Sequence, residues 1–171
     1  MEVQFSIQNS YGILFDGAWL WEEYINILLS SHFYHPKNKS KFGAQQLFSD
    51  GKGLICPDFI SKSTDPRLIV DAKYKPIENI RGRDYLQVLA YMYRFDASQG
   101  YYIYPDSEGQ VPLVLNLNKG STYENNVSTR DDVNIIKLGF KIPNKSANYN
   151  DFKMQIHESE LVLQNFINSQ I

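Results

Sequence analysis

The 171-residue sequence predicts a single domain of the α/β (α+β) class, and three observations carry that prediction. Apolar residues at three- and four-residue spacing (Trp21, Tyr24, Ile25, Leu28) are interleaved with short β-branched and aromatic runs such as Leu68-Ile69-Val70 and Tyr101-Tyr102-Ile103-Tyr104. Aromatic residues make up 14% of the chain, with twelve Tyr and ten Phe, an enrichment that suits a sheet. The length supports one sizeable core and is short for two.

Composition excludes several classes. Hydrophobic residues at 43% and charged residues at 21% describe a globular protein. No apolar run approaches the roughly 20 residues needed to span a bilayer. The start, Met1-Glu2-Val3-Gln4-Phe5-Ser6, lacks the basic and apolar regions of a signal peptide. The lone Cys56 excludes an internal disulfide, sits between Ile55 and Pro57, and is expected to be a buried strand residue of a cytoplasmic protein. Net charge is −2, but it is unevenly spread. Residues 37–94 carry eleven Lys/Arg against six Asp/Glu, and the remainder six against thirteen. The basic excess surrounds the chemistry described below, as a phosphate-facing surface requires.

In chain order, residues 1–15 alternate loosely and read as a strand or extended lead-in. Asp16-Gly17 is a turn or cap before a helix over residues 18–31, whose buried stripe is Leu20, Trp21, Tyr24, Ile25, Leu28 and Leu29. Glu22 and Glu23 fall in its first half, where they either complement the helix dipole or, for Glu22 above all, reach a metal site. His32 and His35 have helix-like spacing, but Pro36 follows and no further ligand lies near, so capping or surface roles are expected. Residues 42–48 read as a strand and 49–53 as a turn into a strand over 54–60. After a loop over 77–82 comes a second helix over 83–95, with Tyr85, Leu86, Leu89, Ala90 and Tyr93 as its apolar side. Gln87 and Tyr91 share a face one turn apart. Residues 101–104 form a strand stopped by Pro105, and 111–117 and 133–142 are further strands. Residues 118–132 are polar and loop-like. A closing helix spans 152–167, with Ile156, Leu161, Leu163 and Phe166 as core contacts. There is no glycine-rich phosphate loop, so nucleotide hydrolysis within the chain is not expected.

The chemistry concentrates in Pro57-Asp58-Phe59-Ile60 and Leu68-Ile69-Val70-Asp71-Ala72-Lys73-Tyr74-Lys75, two apolar runs joined by a polar loop with the turn pair Asp65-Pro66. They predict a β-hairpin in which Asp71 and Lys73 share a face and Ala72 takes the other. A register setting Asp58 beside Asp71 gathers two carboxylates and an ammonium. Such carboxylates repel unless a cation lies between them, and a divalent metal is the usual answer. Lys73 is then placed to orient or deprotonate a water, or in the metal-free state to pair with either aspartate. This is the pattern of a PD-(D/E)xK nuclease site.

A larger set of motifs comes in a recognisable order: Leu14-Phe15-Asp16, Leu20-Trp21-Glu22-Glu23-Tyr24-Ile25, Pro57-Asp58-Phe59-Ile60, Val70-Asp71-Ala72-Lys73-Tyr74-Lys75, Asp84-Tyr85-Leu86-Gln87, Ala90-Tyr91 and Tyr102-Ile103-Tyr104-Pro105. Over residues 12–120 the chain resembles the nuclease domain of the McrC family, the cleavage subunits of McrBC modification-dependent restriction systems. The resemblance implies one domain over 1–171 with a restriction-endonuclease-like PD-(D/E)xK core, a central mixed sheet flanked by helices, cutting DNA with Mg²⁺ or, in its place, Mn²⁺. Asp58 and Asp71 are then the metal-ligating acids, joined by the Ala72 backbone carbonyl, with Lys73 the catalytic lysine and Glu22 the first-helix acid. Gln87 and Tyr91 support them, and Lys75, Arg81 and Arg83 are candidates for DNA phosphate contacts, each with a solvated-surface alternative. Implied partners are duplex DNA, methylated in such systems, and a McrB-like AAA+ GTPase. The family's N-terminal partner-binding region has no counterpart in the matching stretch, so the chain is a stand-alone relative, a split subunit or an excised domain. Cutting both strands calls for a homodimer or two events. Two alternatives stay open: a catalytically silent nuclease fold kept for DNA binding or assembly, and a metal-dependent nuclease acting on RNA.

Overall fold

The computed structural model describes residues 16–36, 44–109, 111–121, 123 and 125–171, so the expected lead-in over 1–15 lies outside the described residues. The elements are α1 (Gly17–Leu29), β1 (Phe33–Tyr34), β2 (Gln45–Gln46), β3 (Leu54–Ile55), β4 (Phe59–Ser61), β5 (Leu68–Ala72), a 3₁₀ turn (Ile77–Asn79), α2 (Arg83–Phe95), β6 (Gln99–Asp106), β7 (Leu113–Ser121), β8 (Asn126–Lys141) and α3 (Tyr149–Asn168). Six strands form one mixed sheet in the order β1-β4-β5-β6-β8-β7. The pairs β5–β6 and β6–β8 are parallel, and β1–β4, β4–β5 and β7–β8 antiparallel. No described helix is long and apolar enough to cross a membrane.

Strand alternation divides the core into two layers. On one face Phe59, Leu68, Val70, Tyr101, Ile103, Leu138 and Phe140 pack with Trp21, Ile25 and Leu29 of α1 and Leu163 and Ile167 of α3. On the other, Ile60, Ile69, Tyr102, Tyr104 and Ile135 pack with Val88, Tyr91 and Met92 of α2. Each fully buried Ile or Leu contributes about 1.5–3 kcal/mol. Asp16 caps α1, its Oδ1 accepting the Ala18 and Trp19 N–H groups at 3.1 Å. The Trp21 Nε1–H donates to the Ile103 carbonyl at 3.1 Å inside the core, fixing α1 across the strand beside the β4–β5 hairpin.

Several elements differ from their sequence expectation, each for a physical reason. The strand expected over 54–60 is broken at Cys56-Pro57-Asp58: β3 pairs with β2 in a separate two-stranded sheet, and β4 with β5. Pro57 has no N–H for a ladder, which releases Asp58 from regular pairing. Pro105 does not stop β6, because β5 has already ended, its last pair being Ala72 with Ile103. Residues 118–132 are largely the exposed end of the β7–β8 ribbon, paired from Asn118–Thr129 to Ser121–Asn126. Burying nothing on either face, this ribbon carries no alternation to read. Gly120 is required there, with φ +93° and a Cβ position 1.9 Å from the Asn126 carbonyl oxygen.

The buried side of α2 is also rotated from the expected one. Leu86 and Tyr93 are exposed, and Val88, Tyr91 and Met92 are buried instead. The sheet beneath explains the turn: at Gly100 a Cβ would lie 2.6 Å from Val88 Cγ1 and Met92 Sδ, so these side chains fill the hollow that glycine leaves. Leu20 and Leu161 likewise face solvent at the margins of their helices.

Candidate active site

The β4–β5 hairpin forms as its apolar runs predict, pairing Phe59 with Val70 and Ile60 with Ile69. Continued one step, that register sets Asp58 opposite Asp71. The Asp58 Oδ2 accepts the Ala72 N–H at 2.9 Å, so the first carboxylate grips the main chain next to the second. Asp71 is 1% exposed, on the α2 face of the sheet. Lys73 Nζ lies 2.7 Å from Asp71 Oδ2. The Lys73 N–H donates to the Ile103 carbonyl at 2.9 Å, extending the β5–β6 ladder past the end of β5.

The electrostatics of the pair are unfavourable as it stands. Burial pushes the Asp58 carboxyl well above the usual range, the Asp71 and Glu22 charges push it further, and the Ala72 N–H and Lys73 only partly offset them. Burial also raises Asp71 against the opposing pull of Lys73. For Lys73, burial works to depress the pKa, but Asp71, Asp58 and Asp84 more than reverse it and hold the side chain as an ammonium. Two hard oxygen donors that resist carrying their charge together are the groups here whose chemistry suits a divalent cation. Among the described residues no group of three or more His, Cys, Asp or Glu side chains is arranged to hold a metal ion, so the two aspartates stand as a pair.

The helices bring further expected residues to this point. Glu22 of α1 is close enough for its charge to act on both aspartates, and Glu23 instead accepts the Trp19 Nε1–H at 3.1 Å. From α2, Gln87 Oε1 lies 3.5 Å from Lys73 Nζ, and Gln87 Nε2 donates to the Tyr91 hydroxyl at 2.6 Å. Tyr91 in turn donates to the Cys56 carbonyl at 3.2 Å. The Gln87–Tyr91 pair thus connects Lys73 to the loop that carries Asp58. Cys56 itself is half-buried and lies outside any strand, so its contribution is this carbonyl. Arg81 and Arg83 are exposed at the start of α2, while Lys75 is tied to Asp84 at 2.7 Å.

Two residues at the site were not singled out from sequence. Asp84 receives Lys75 and the Arg81 N–H, with Lys73 Nζ at 3.6 Å. Partial burial works against its ionisation, but the Lys75 ammonium, the Arg81 N–H and Lys73 hold it below the usual carboxylate range. Its spacing of three from Gln87 was the available signal. His35, expected to cap or to face solvent, instead lies between Asp58 and α1, its Nδ1 2.8 Å from the Asp58 carbonyl oxygen. Nothing local marks it, because its place depends on β1 pairing with β4.

The family described as McrBC 5-methylcytosine restriction system component matches residues 1–105. The chain belongs to that family. The McrBC match runs from ahead of α1 to Pro105 of β6 and so contains Glu22, Asp58, Asp71, Lys73, Asp84, Gln87 and Tyr91. The β7–β8 ribbon and α3 lie beyond the McrBC match, although they complete the sheet and its α1 face. No curated protein matches the chain.

Proposed function

We propose that this McrBC-family chain is a Mg²⁺-dependent DNA endonuclease on a PD-(D/E)xK core, the cleavage component of a McrBC-like restriction system. The observation that carries the reading is the opposition of Asp58 and Asp71 across one hairpin, both destabilised as anions, with the Lys73 ammonium 2.7 Å from Asp71. A divalent cation would be held by these two aspartates, with the Ala72 carbonyl and Glu22 as further oxygen donors. Bound there, it neutralises the pair and polarises the phosphodiester.

The chain's own residues supply the rest. Lys73, as an ammonium, donates to a phosphate oxygen or to the attacking water and offsets the charge that builds in the transition state. Gln87 and Asp84 hold Lys73 from α2, so its position is set before substrate arrives. Arg81 and Arg83, exposed beside the site, and Lys75 bind flanking phosphates and set the strand's register. Water displaces the 3′ oxygen, leaving a 5′ phosphate and a 3′ hydroxyl. The substrate is duplex DNA carrying 5-methylcytosine, delivered by a McrB-like GTPase.

Methylated and unmethylated plasmid DNA, single strands and RNA, offered with Mg²⁺ and with or without such a GTPase, test the reading. The expected result is cutting of methylated duplex that Asp71→Asn abolishes. Asp71→Asn cutting at the wild-type rate, or RNA as the only substrate cut, overturns it.

A further inference from the structure

Asp58 lies where the sheet stops supplying main-chain partners. β1 pairs with β4 at Phe33–Ser61 and Tyr34–Ile60. Continued two steps, that register brings Pro36 opposite Asp58, and proline has no N–H to offer a facing carbonyl. The side chain of the preceding residue takes over, with His35 Nδ1 2.8 Å from the Asp58 carbonyl oxygen. A carbonyl only accepts, so Nδ1 carries the hydrogen. Nε2 is then left facing α1, 3.6 Å from Glu22 Oε1 and 3.9 Å from Glu23 Oε1. Packing fixes the ring: it stacks on Phe59 with centroids 4.8 Å apart and planes at 25°, and the side chain is only 14% exposed.

We propose that His35 is a positioning residue for the acid cluster, holding the Asp58 main chain, and with it the Asp58 carboxylate, through Nδ1. The inference rests on reading the Asp58–Asp71 pair as a divalent-cation site. Carboxylates drawn from α1, from the break before β4 and from β5 repel one another and drift apart unless their backbones are tied. His35 is one rigid ring touching two of these three elements. Outer groups that hold metal-binding side chains are worth about 10–100-fold in affinity.

Calorimetric titration of Mn²⁺ into the wild type, His35→Ala, His35→Asn and Asp71→Asn tests the proposal. Asparagine keeps an amide donor near the Nδ1 position, so it restores that bond without the ring and stands in if the alanine variant fails to fold. The expected result is affinity weakened about 10–100-fold in His35→Ala and partly restored in His35→Asn. Wild-type affinity in a folded His35→Ala overturns the proposal and leaves the cation site standing. If the wild type itself binds no Mn²⁺, the cation reading has failed, and cation-free melting decides. An Asp58→Asn gain in Tm that is smaller in the His35→Ala background supports positioning of Asp58, and an equal gain overturns it.

Discussion

Asp58 and Ala72 are joined by a hydrogen bond of 2.9 Å in which the aspartate Oδ2 accepts the main-chain N–H directly after Asp71. This bond closes the hairpin beyond its last regular pair and brings the two acids together. It stabilises a position that the charges themselves oppose, and that opposition is measurable.

Asp58→Asn keeps an acceptor for the Ala72 N–H and removes a charge, so it is expected to raise Tm in the absence of divalent cations. The sign follows from the raised carboxyls of the pair. A folded-state acid with a raised pKa contributes stability below its ordinary value, about 4, and loses it as pH rises toward the folded value. The advantage of Asp58→Asn is therefore small in acid and grows above about pH 4, at about 2–4 °C for each kcal/mol of relief. Thermal melts from pH 3 to 8 in EDTA check it, and a variant that melts below wild type at neutral pH contradicts it.

Divalent cations should reverse that penalty in the wild type alone. At a hundredfold excess over the dissociation constant, Mn²⁺ adds about 2.7 kcal/mol, or about 5–10 °C in Tm. EDTA should restore the original melt, and Asp71→Asn should show no shift. Scanning fluorimetry with and without chelator reads all three.

Lys73→Ala is expected to lower cleavage by at least about 10²-fold while far-UV circular dichroism stays unchanged. Asp84→Asn, which loosens Lys73 and Lys75 without removing either, should cost about tenfold. Single-turnover cleavage rates rank the two. An Asp84 variant as impaired as Lys73→Ala would move Asp84 from support to chemistry.

Gly100→Ala should destabilise the fold by about 1–3 kcal/mol, because the new methyl meets Val88 and Met92. Adding Val88→Ala opens space for it and should recover part of the loss. Urea denaturation of the single and double variants gives the coupling directly.

Local chemistry made much of this protein legible. The boundaries of α2 were readable to the residue, the α1 stripe nearly so, and Asp58, Asp71 and Lys73 stood out because charged groups directly follow apolar runs. The buried side of α2 was not readable, since its rotation is set by the hollow at Gly100, a residue beyond the helix's own sequence. Nor was the outer end of the β7–β8 ribbon, over residues 118–132, whose solvated faces need no alternation, although the strands over 111–117 and 133–142 were readable.

The sequence by itself determined which residues carry acid, base and apolar surface, and that two strands would meet in a hairpin. Only the tertiary structure decided what stands around that hairpin. Asp84 and the Gln87–Tyr91 pair reach Lys73 because α2 crosses above β5, and Glu22 arrives because Trp21 pins α1 to Ile103. His35 reaches Asp58 only once β1 pairs with β4. Residues 23 positions apart in the chain meet through strand pairing, and no local pattern encodes that pairing.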